Sequence, residues 1–199
     1  MDAFTDLSPV LQGRLVVLEP LRAEHEEPLR KAAADARVWR YMRFDGTDRD
    51  VFHRWFDDAM SAAAAGREAP FCIVRRAGGD VVGSSRYLAL RPEDRVLEIG
   101  WSWIAPDAWG SGANTEAKLL LLGHAFERLG CLRVEFKTDA SNERSRAALA
   151  ALPAQFEGVF RKHMLVRGGQ RRDSAWYSVI DDDWPAVKAA LEARVAAKA

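Results

Sequence analysis

The chain has little of several things, and each shortage narrows its chemistry. Two cysteines stand among 199 residues, Cys72 and Cys131. They lie far apart inside apolar segments and read as buried thiols of a reducing compartment, not as a disulfide framework. The four histidines are scattered, with no close Cys/His cluster, so no structural metal is expected. Formal net charge is zero, from 29 basic and 29 acidic residues. Long-range attraction to nucleic acid or anionic lipid is therefore not expected, although Arg171 and Arg172 make a local basic pair. No apolar run is long enough to cross a bilayer. The opening "MDAFTDLSPV" carries two acids and no basic residue ahead of a long apolar stretch, so it does not read as a secretory signal. The expectation is a cytoplasmic protein without a nucleic-acid or membrane partner.

What is present suits one domain over residues 1–199, with 48% hydrophobic and 29% charged residues. "RLVVLEP" is a short β-type run stopped by Pro20, and "RAEHEEPLRKAAADARVWRYM" has helical composition with Pro28 in a tolerant first turn. "DRDVFHRWFDDAMSAAAAG" reads as an amphipathic helix with Val51, Trp55, Ala59 and Met60 on one face and Gly66 as its stop. "PFCIVRR" and "DVVGSSRYLAL" form a hairpin across "AGGD", and "RVLEIGWSWIAP" is a third strand ending at Pro106. A glycine-containing loop and a long helix follow. "CLRVEFKTDA" is a strand, "SNERSRAALAAL" a short helix ended by Pro153, and "FEGVFRKHMLVRGGQRRDSAWYSVID" a hairpin around Gly168-Gly169. A last helix covers about residues 184–198, with acids at its start and Lys198 near its end. Hairpins plus a strand–helix–strand unit predict an α/β architecture, a mixed sheet with helices on its faces.

The loop "DAWGSGAN" joins a strand to a helix predicted to start at about Asn114 or Thr115. The first four backbone N–H groups of such a helix have no intrahelical partner and sit at the positive end of its dipole. Gly110 and Gly112 have no Cβ, so a phosphate or pyrophosphate can approach the main chain. A plain glycine turn capped by Asn114 is the alternative. The loop lacks the Gly-Lys-Ser/Thr end of a P-loop and the third glycine of a dinucleotide fingerprint. A nucleotide-binding domain is a competing reading of the same residues.

Taken in order, "LEIGWSWIAPDAWGSGANTEAKLLLLGHAFERLG", "CLRVEFKTDASNERSRAAL" and "FEGVFRKHM" resemble the GNAT superfamily of acyl-CoA N-acyltransferases. Within it, the chain looks most like the branch that includes ribosomal-protein N-terminal acetyltransferases, and "GRLVVLEPLRAEHEEPLRKAAADARVWRYM" is similar to that branch's opening. The resemblance covers nearly the whole chain. It implies the GNAT fold, a partly splayed mixed sheet in which acetyl-CoA enters between the strand ending at Pro106 and the strand from Cys131 to Thr138. It implies the pyrophosphate on the loop Trp109, Gly110, Ser111, Gly112, Ala113, Asn114 and Thr115, and the pantetheine arm paired with backbone near Trp103 and Ile104. Here Trp109 stands where the family usually has Gln or Arg, and Asn114 where it usually has Gly or Ala.

The implied reaction is acetyl transfer from acetyl-CoA, with no metal, to a primary amine of a protein N-terminus or a small molecule. The implied catalytic set is Glu98, Asn142 and Ser145. Asn142 contacts the CoA arm, and Ser145 is placed to hydrogen-bond the leaving sulfur, because the superfamily's more common Tyr position reads Leu149 here. On the residues alone, Ser141 or Asn142 capping a helix is the competing account. Strand alternation puts Leu97, Ile99 and Trp101 on one face and Glu98 on the other. A carboxylate there can accept the amine proton, its pKa raised by apolar neighbours. A solvated face, or an ion pair with a cation such as Arg133, is the alternative. His163 is a second proton-transfer candidate on a strand near the groove. Trp39, Tyr41 and Met42 border the acceptor groove in the resembled fold, or simply pack as core. Pro153 replaces a family Gly and is expected not to adopt glycine's left-handed cap. A non-catalytic acyl-CoA-binding module on this fold is the alternative function. Monomer and homodimer both stay open.

Overall fold

A computed structural model describes residues 4–198. The elements run β1 (Leu11–Gln12), β2 (Val16–Pro20), α1 (Glu26–Ala32), α2 (Ala36–Trp39), α3 (Arg49–Ala64), β3 (Ala69–Arg75), β4 (Val81–Arg91) and β5 (Val96–Ile104). After them come α4 (Ala113–Glu127), β6 (Arg133–Asp139), α5 (Glu143–Ala151), β7 (Gln155–Val166), β8 (Gln170–Ile180) and α6 (Trp184–Ala196). The strands make one sheet in the order β1-β2-β3-β4-β5-β6-β8-β7. The mixed α/β expectation holds.

Every neighbouring pair is antiparallel except β5 with β6, which α4 connects. That parallel pairing spans only Val96↔Arg133, Leu97↔Val134 and Glu98↔Glu135. Beyond it, β5 follows β4 as far as Ile104, while β6 follows β8 as far as Asp139. The sheet therefore splits along its middle, and the split opens a cavity of about 760 Å³.

Two cores flank the sheet. Leu97, Ile99, Leu121, Leu122, Val134 and Leu191 pack between the sheet and α4 and α6. Leu29, Trp39, Phe52, Trp55, Phe56 and Trp103 pack under α1, α2 and α3. Each fully buried leucine contributes about 2 kcal/mol. The inward stripe of α3 is Phe52, Trp55, Phe56, Ala59 and Ala62, while Val51 and Met60 are half-buried. The α3 stop at Gly66 is as expected, with φ 66.

Simple alternation fails in β5. The pairing with β4 shifts register between Ser84 and Arg86, and Trp101 has φ 50. One extra residue in the strand reverses the side-chain parity beyond it. Trp101 therefore leaves the face of Leu97 and Ile99 and packs with Trp103 in the aromatic core, while Ile104 returns to the other core. The same shift turns Ser102 toward α4, where it meets Lys118.

Glu116 anchors α4. Its carboxylate accepts the N–H groups of Arg14, Leu15 and Val16 at 2.7, 2.6 and 2.7 Å. A Cβ on Gly13 would collide with that carboxylate. At the end of α5, Pro153 has φ 27, so it does take the left-handed position that the sequence argues against. The Ala154 N–H closes the cap on the Leu149 carbonyl at 3.1 Å, while the ring denies the second bond that a glycine N–H would supply. The two thiols are buried, and burial pushes both up to about 12. Among the described residues no helix is long and apolar enough to cross a membrane, and no group of three His, Cys, Asp or Glu could hold a metal ion.

Candidate active site

The cavity begins at the N-terminus of α4. Gly112 caps the helix with φ 93, so the cap falls two residues before the Asn114 cap that the sequence offered. Gly112 is packed on its other side, where a Cβ would press on Leu15 and on the Lys198 side chain. Gly110 has φ 75, and a Cβ there would meet nothing within 4 Å. The Ser111 hydroxyl donates to the Ala108 carbonyl at 2.7 Å and accepts the Ala113 N–H at 3.3 Å. Ser111 and Ala113 therefore stiffen the loop, whereas Trp109, Gly110, Gly112, Asn114 and Thr115 line the cavity. The first-turn amides of Asn114 and Thr115 have no intrahelical acceptor.

Trp109 ties this loop to β5. Its indole N–H donates to the Ile104 carbonyl at 2.8 Å. That carbonyl is thus already engaged, although both Trp103 and Ile104 line the cavity. The Arg144 guanidinium lies 3.7 Å from the Trp109 ring centre, and Arg37 lies 5.2 Å from it. Arg144, Arg194 and Lys198 also line the cavity. Burial pushes Arg144 down from its ordinary value. Bare main chain, a helix N-terminus and three cations are a donor set that fits a diphosphate.

Asn142 caps α5, its Oδ1 accepting the Ser145 N–H at 3.1 Å. The capping role and a place on the cavity wall coexist, because Asn142, Ser145 and Leu149 all line it. On β5, Glu98 is 2% exposed and lines the same cavity. Burial pushes its carboxyl above the usual range, and the nearby Lys137 ammonium opposes that rise. Lys137 Nζ donates to Glu98 Oε2 at 2.6 Å. Lys137, not Arg133, is therefore the ion partner. Arg133 is engaged by Glu135 and Glu157.

The substrate candidates separate. Tyr41 and Met42 line the cavity. Trp39 does not. It is fully buried, donates to the Ala33 carbonyl at 2.8 Å and packs on Phe44, Phe52, Trp55 and Trp103. His163 also lies off the cavity wall, edge-on to Phe160 and Trp176 with Nδ1 3.0 Å from Ser174 Oγ. Burial lowers its pKa, with Lys137 and Arg172 adding to the effect. Its neighbour Met164 lines the cavity instead. Arg172 is not part of an exposed basic patch. Its side chain is 10% exposed, lines the cavity and stands 4.0 Å from Asp139.

Sequence reasoning missed Lys118, Lys137, Arg144 and Arg172. One signal was available for Lys118: it follows Asn114 by four residues and Thr115 by three, and so shares their helix face. The other three depend on which strands and loops meet across the split, and no local pattern encodes that.

The geometry joins a backbone cradle suited to a diphosphate with a buried carboxyl further along one cavity. Comparison with known proteins identifies the family. The acetyltransferase (GNAT) domain family model matches residues 15–154. A Bacillus subtilis (strain 168) protein, named an uncharacterized N-acetyltransferase YoaA, is 31% identical over 175 residues, 86% of this chain and 97% of that one. The crystal structure of a GCN5-related N-acetyltransferase from Brucella melitensis has a TM-score of 0.89 and 32% identity, over 98% of this chain and 88% of that one. Mycobacterium smegmatis RimJ, solved in complex with CoA-disulfide, shares the fold with a TM-score of 0.79 and 24% identity, over 97% of each chain. The chain belongs to the GNAT acetyltransferase family, whose members transfer acyl groups from acetyl-CoA.

Proposed function

We propose that this protein acetylates a primary amine, of a protein N-terminus or a small molecule, by direct attack of the amine on the acetyl-CoA thioester. The observation that carries this reading is one cavity lined both by the Trp109–Thr115 loop and by Glu98. The RimJ neighbour, a protein of this fold that holds a CoA derivative, supports the cofactor.

The reaction needs a neutral amine, donors for the tetrahedral oxyanion and a proton for the leaving thiolate. Glu98 receives the amine proton. Its burial raises its proton affinity above that of an ordinary carboxylate, and the Lys137 ammonium opposes that rise. Beyond Glu98, β5 has no pairing with β6, so its main chain on that side is open to the pantetheine arm. Asn142 borders that arm, and Ser145 donates to the departing sulfur. Acetyl-CoA brings the activated acyl group, and the cradle at α4 holds its diphosphate against Arg144, Arg194 and Lys198. Tyr41 and Met42 border the incoming amine.

The test is release of free CoA thiol from acetyl-CoA across a panel of amines and N-terminal peptides. Glu98→Gln is expected to lower turnover about 100-fold while calorimetric affinity for acetyl-CoA stays within about two-fold. Tight acetyl-CoA binding with no turnover on any acceptor would overturn the reading in favour of a non-catalytic acyl-CoA-binding module.

A further inference from the structure

The proposed transfer leaves Lys118 without a task. This side chain is 6% exposed and crosses beneath the split in the sheet. Its Nζ is 2.5 Å from Ser102 Oγ on β5 and 3.4 Å from Ser85 Oγ on β4, and 5.6 Å from the Phe136 ring centre on β6. Lys118 and Ser102 both line the cavity. Among the described residues, no carboxylate comes within ion-pairing distance of Lys118. The charged group whose field reaches it is Glu98 on β5, which is itself paired to Lys137 on β6. Burial outweighs Glu98 and brings the Lys118 ammonium down to about 7. The free amine is therefore accessible near neutral pH, where an ordinary lysine side chain is an ammonium. Two hydroxyls accept its N–H groups, and the side chain borders the cavity.

We propose that Lys118 is an acyl acceptor within its own site, modified by acetyl-CoA bound in the cavity. This inference rests on the cavity holding acetyl-CoA, as in the function proposed above. The Lys118 Nζ lone pair attacks the thioester carbonyl. A C–N bond forms, the C–S bond breaks, and the thiolate takes the proton the amine gives up. The products are an Nζ-acetyl amide and free CoA, with no oxidant or reductant involved. The amide carries no charge, so burial under the sheet no longer opposes it. It keeps one N–H for Ser102.

The experiment incubates the full chain with acetyl-CoA alone and maps adducts by peptide mass spectrometry. The expected result is a gain of about 42 Da on the Lys118 peptide. Its rate should saturate at the acetyl-CoA concentration that calorimetry gives as Kd and should have a midpoint near pH 7. At neutral pH Lys118 should react at least about ten-fold faster than the exposed Lys31 and Lys162, which lie off the cavity wall. Lys118→Met should lose this adduct and keep the slow surface ones. Saturable binding of acetyl-CoA with no adduct on Lys118, or with adducts on Ser102 or surface lysines only, overturns the inference and leaves the proposed function standing. Failure of acetyl-CoA to bind at all sinks the proposed function, and this inference with it.

Discussion

The two ends of the cavity are built from different materials. At the α4 end the main chain does the work: positive-φ glycines, first-turn amides and a stiffening serine, with cations around them. At the β5–β6 end the side chains do it. Glu98, Lys118, Lys137 and Arg172 gather where the sheet divides, and Glu98 and Lys118 are almost wholly out of water. Main-chain donors do not titrate and ask only for the right backbone conformation. Buried charges depend on one another, and each shifts with burial and with its partner. The first end suits a constant ligand, while the second suits a pH-dependent role.

The sharpest way to break this contrast is to fill the backbone end. Gly112→Val places a β-branched residue at φ 93 and drives its Cβ toward Leu15 and Lys198. Strain and clash together are expected to cost about 3 kcal/mol, read as a fall of roughly 100-fold in calorimetric acetyl-CoA affinity or an equivalent loss of thermal stability. Gly110→Ala, whose Cβ enters open space, should lose only about 1 kcal/mol. Equal damage from both would refute a cradle made by backbone conformation.

The side-chain end is tested by Lys118→Met. Lys118 holds a proton less readily when folded, at about 7, than an ordinary lysine does at 10.5. Between those values the unfolded chain binds more protons, so stability rises with pH. The cost of the buried ammonium is present in full below pH 7 and fades toward pH 10. Lys118→Met should therefore stabilise by on the order of 2 kcal/mol near pH 6, with the gain shrinking as pH rises. Ser85 and Ser102, 2.7 Å apart, still satisfy each other in the variant. A gain that does not vary with pH would mean that charge burial is not its cause.

The smallest effect concerns the boundary between the ends. Arg144→Ala removes the guanidinium stacked on Trp109 and one cation near the cradle. Acetyl-CoA affinity should weaken by about 1 kcal/mol, and less so at high salt. A loss that salt leaves unchanged would assign Arg144 to packing alone.

Much of the fold was legible. Strand and helix runs follow side-chain period, and Pro20, Gly66 and Pro106 mark their ends. The loop at Gly110 and Gly112 was legible because glycine at a helix start is a local signal. Glu98 could be placed on its own strand face, but not beside Lys137, which is 39 residues away. Trp101 was misplaced because one bulged residue reverses parity, and nothing in "EIGWSW" marks where it sits. Trp39 and His163 look like site residues by type, yet Trp39 is fully buried in the aromatic core and His163 is turned against Phe160 and Trp176, off the cavity wall.

By itself, the sequence determined most of the elements, their order and the glycine loop before α4, since each depends on contacts within a few residues. Tertiary structure alone decided which charges are buried together. Once β5 leaves β6 after Glu98, β4 and β8 draw the two strands apart, and groups distant in the chain come to share one sheltered space. Burial there raises the Glu98 carboxyl and lowers the Lys118 ammonium, because removing water penalises whichever form carries charge.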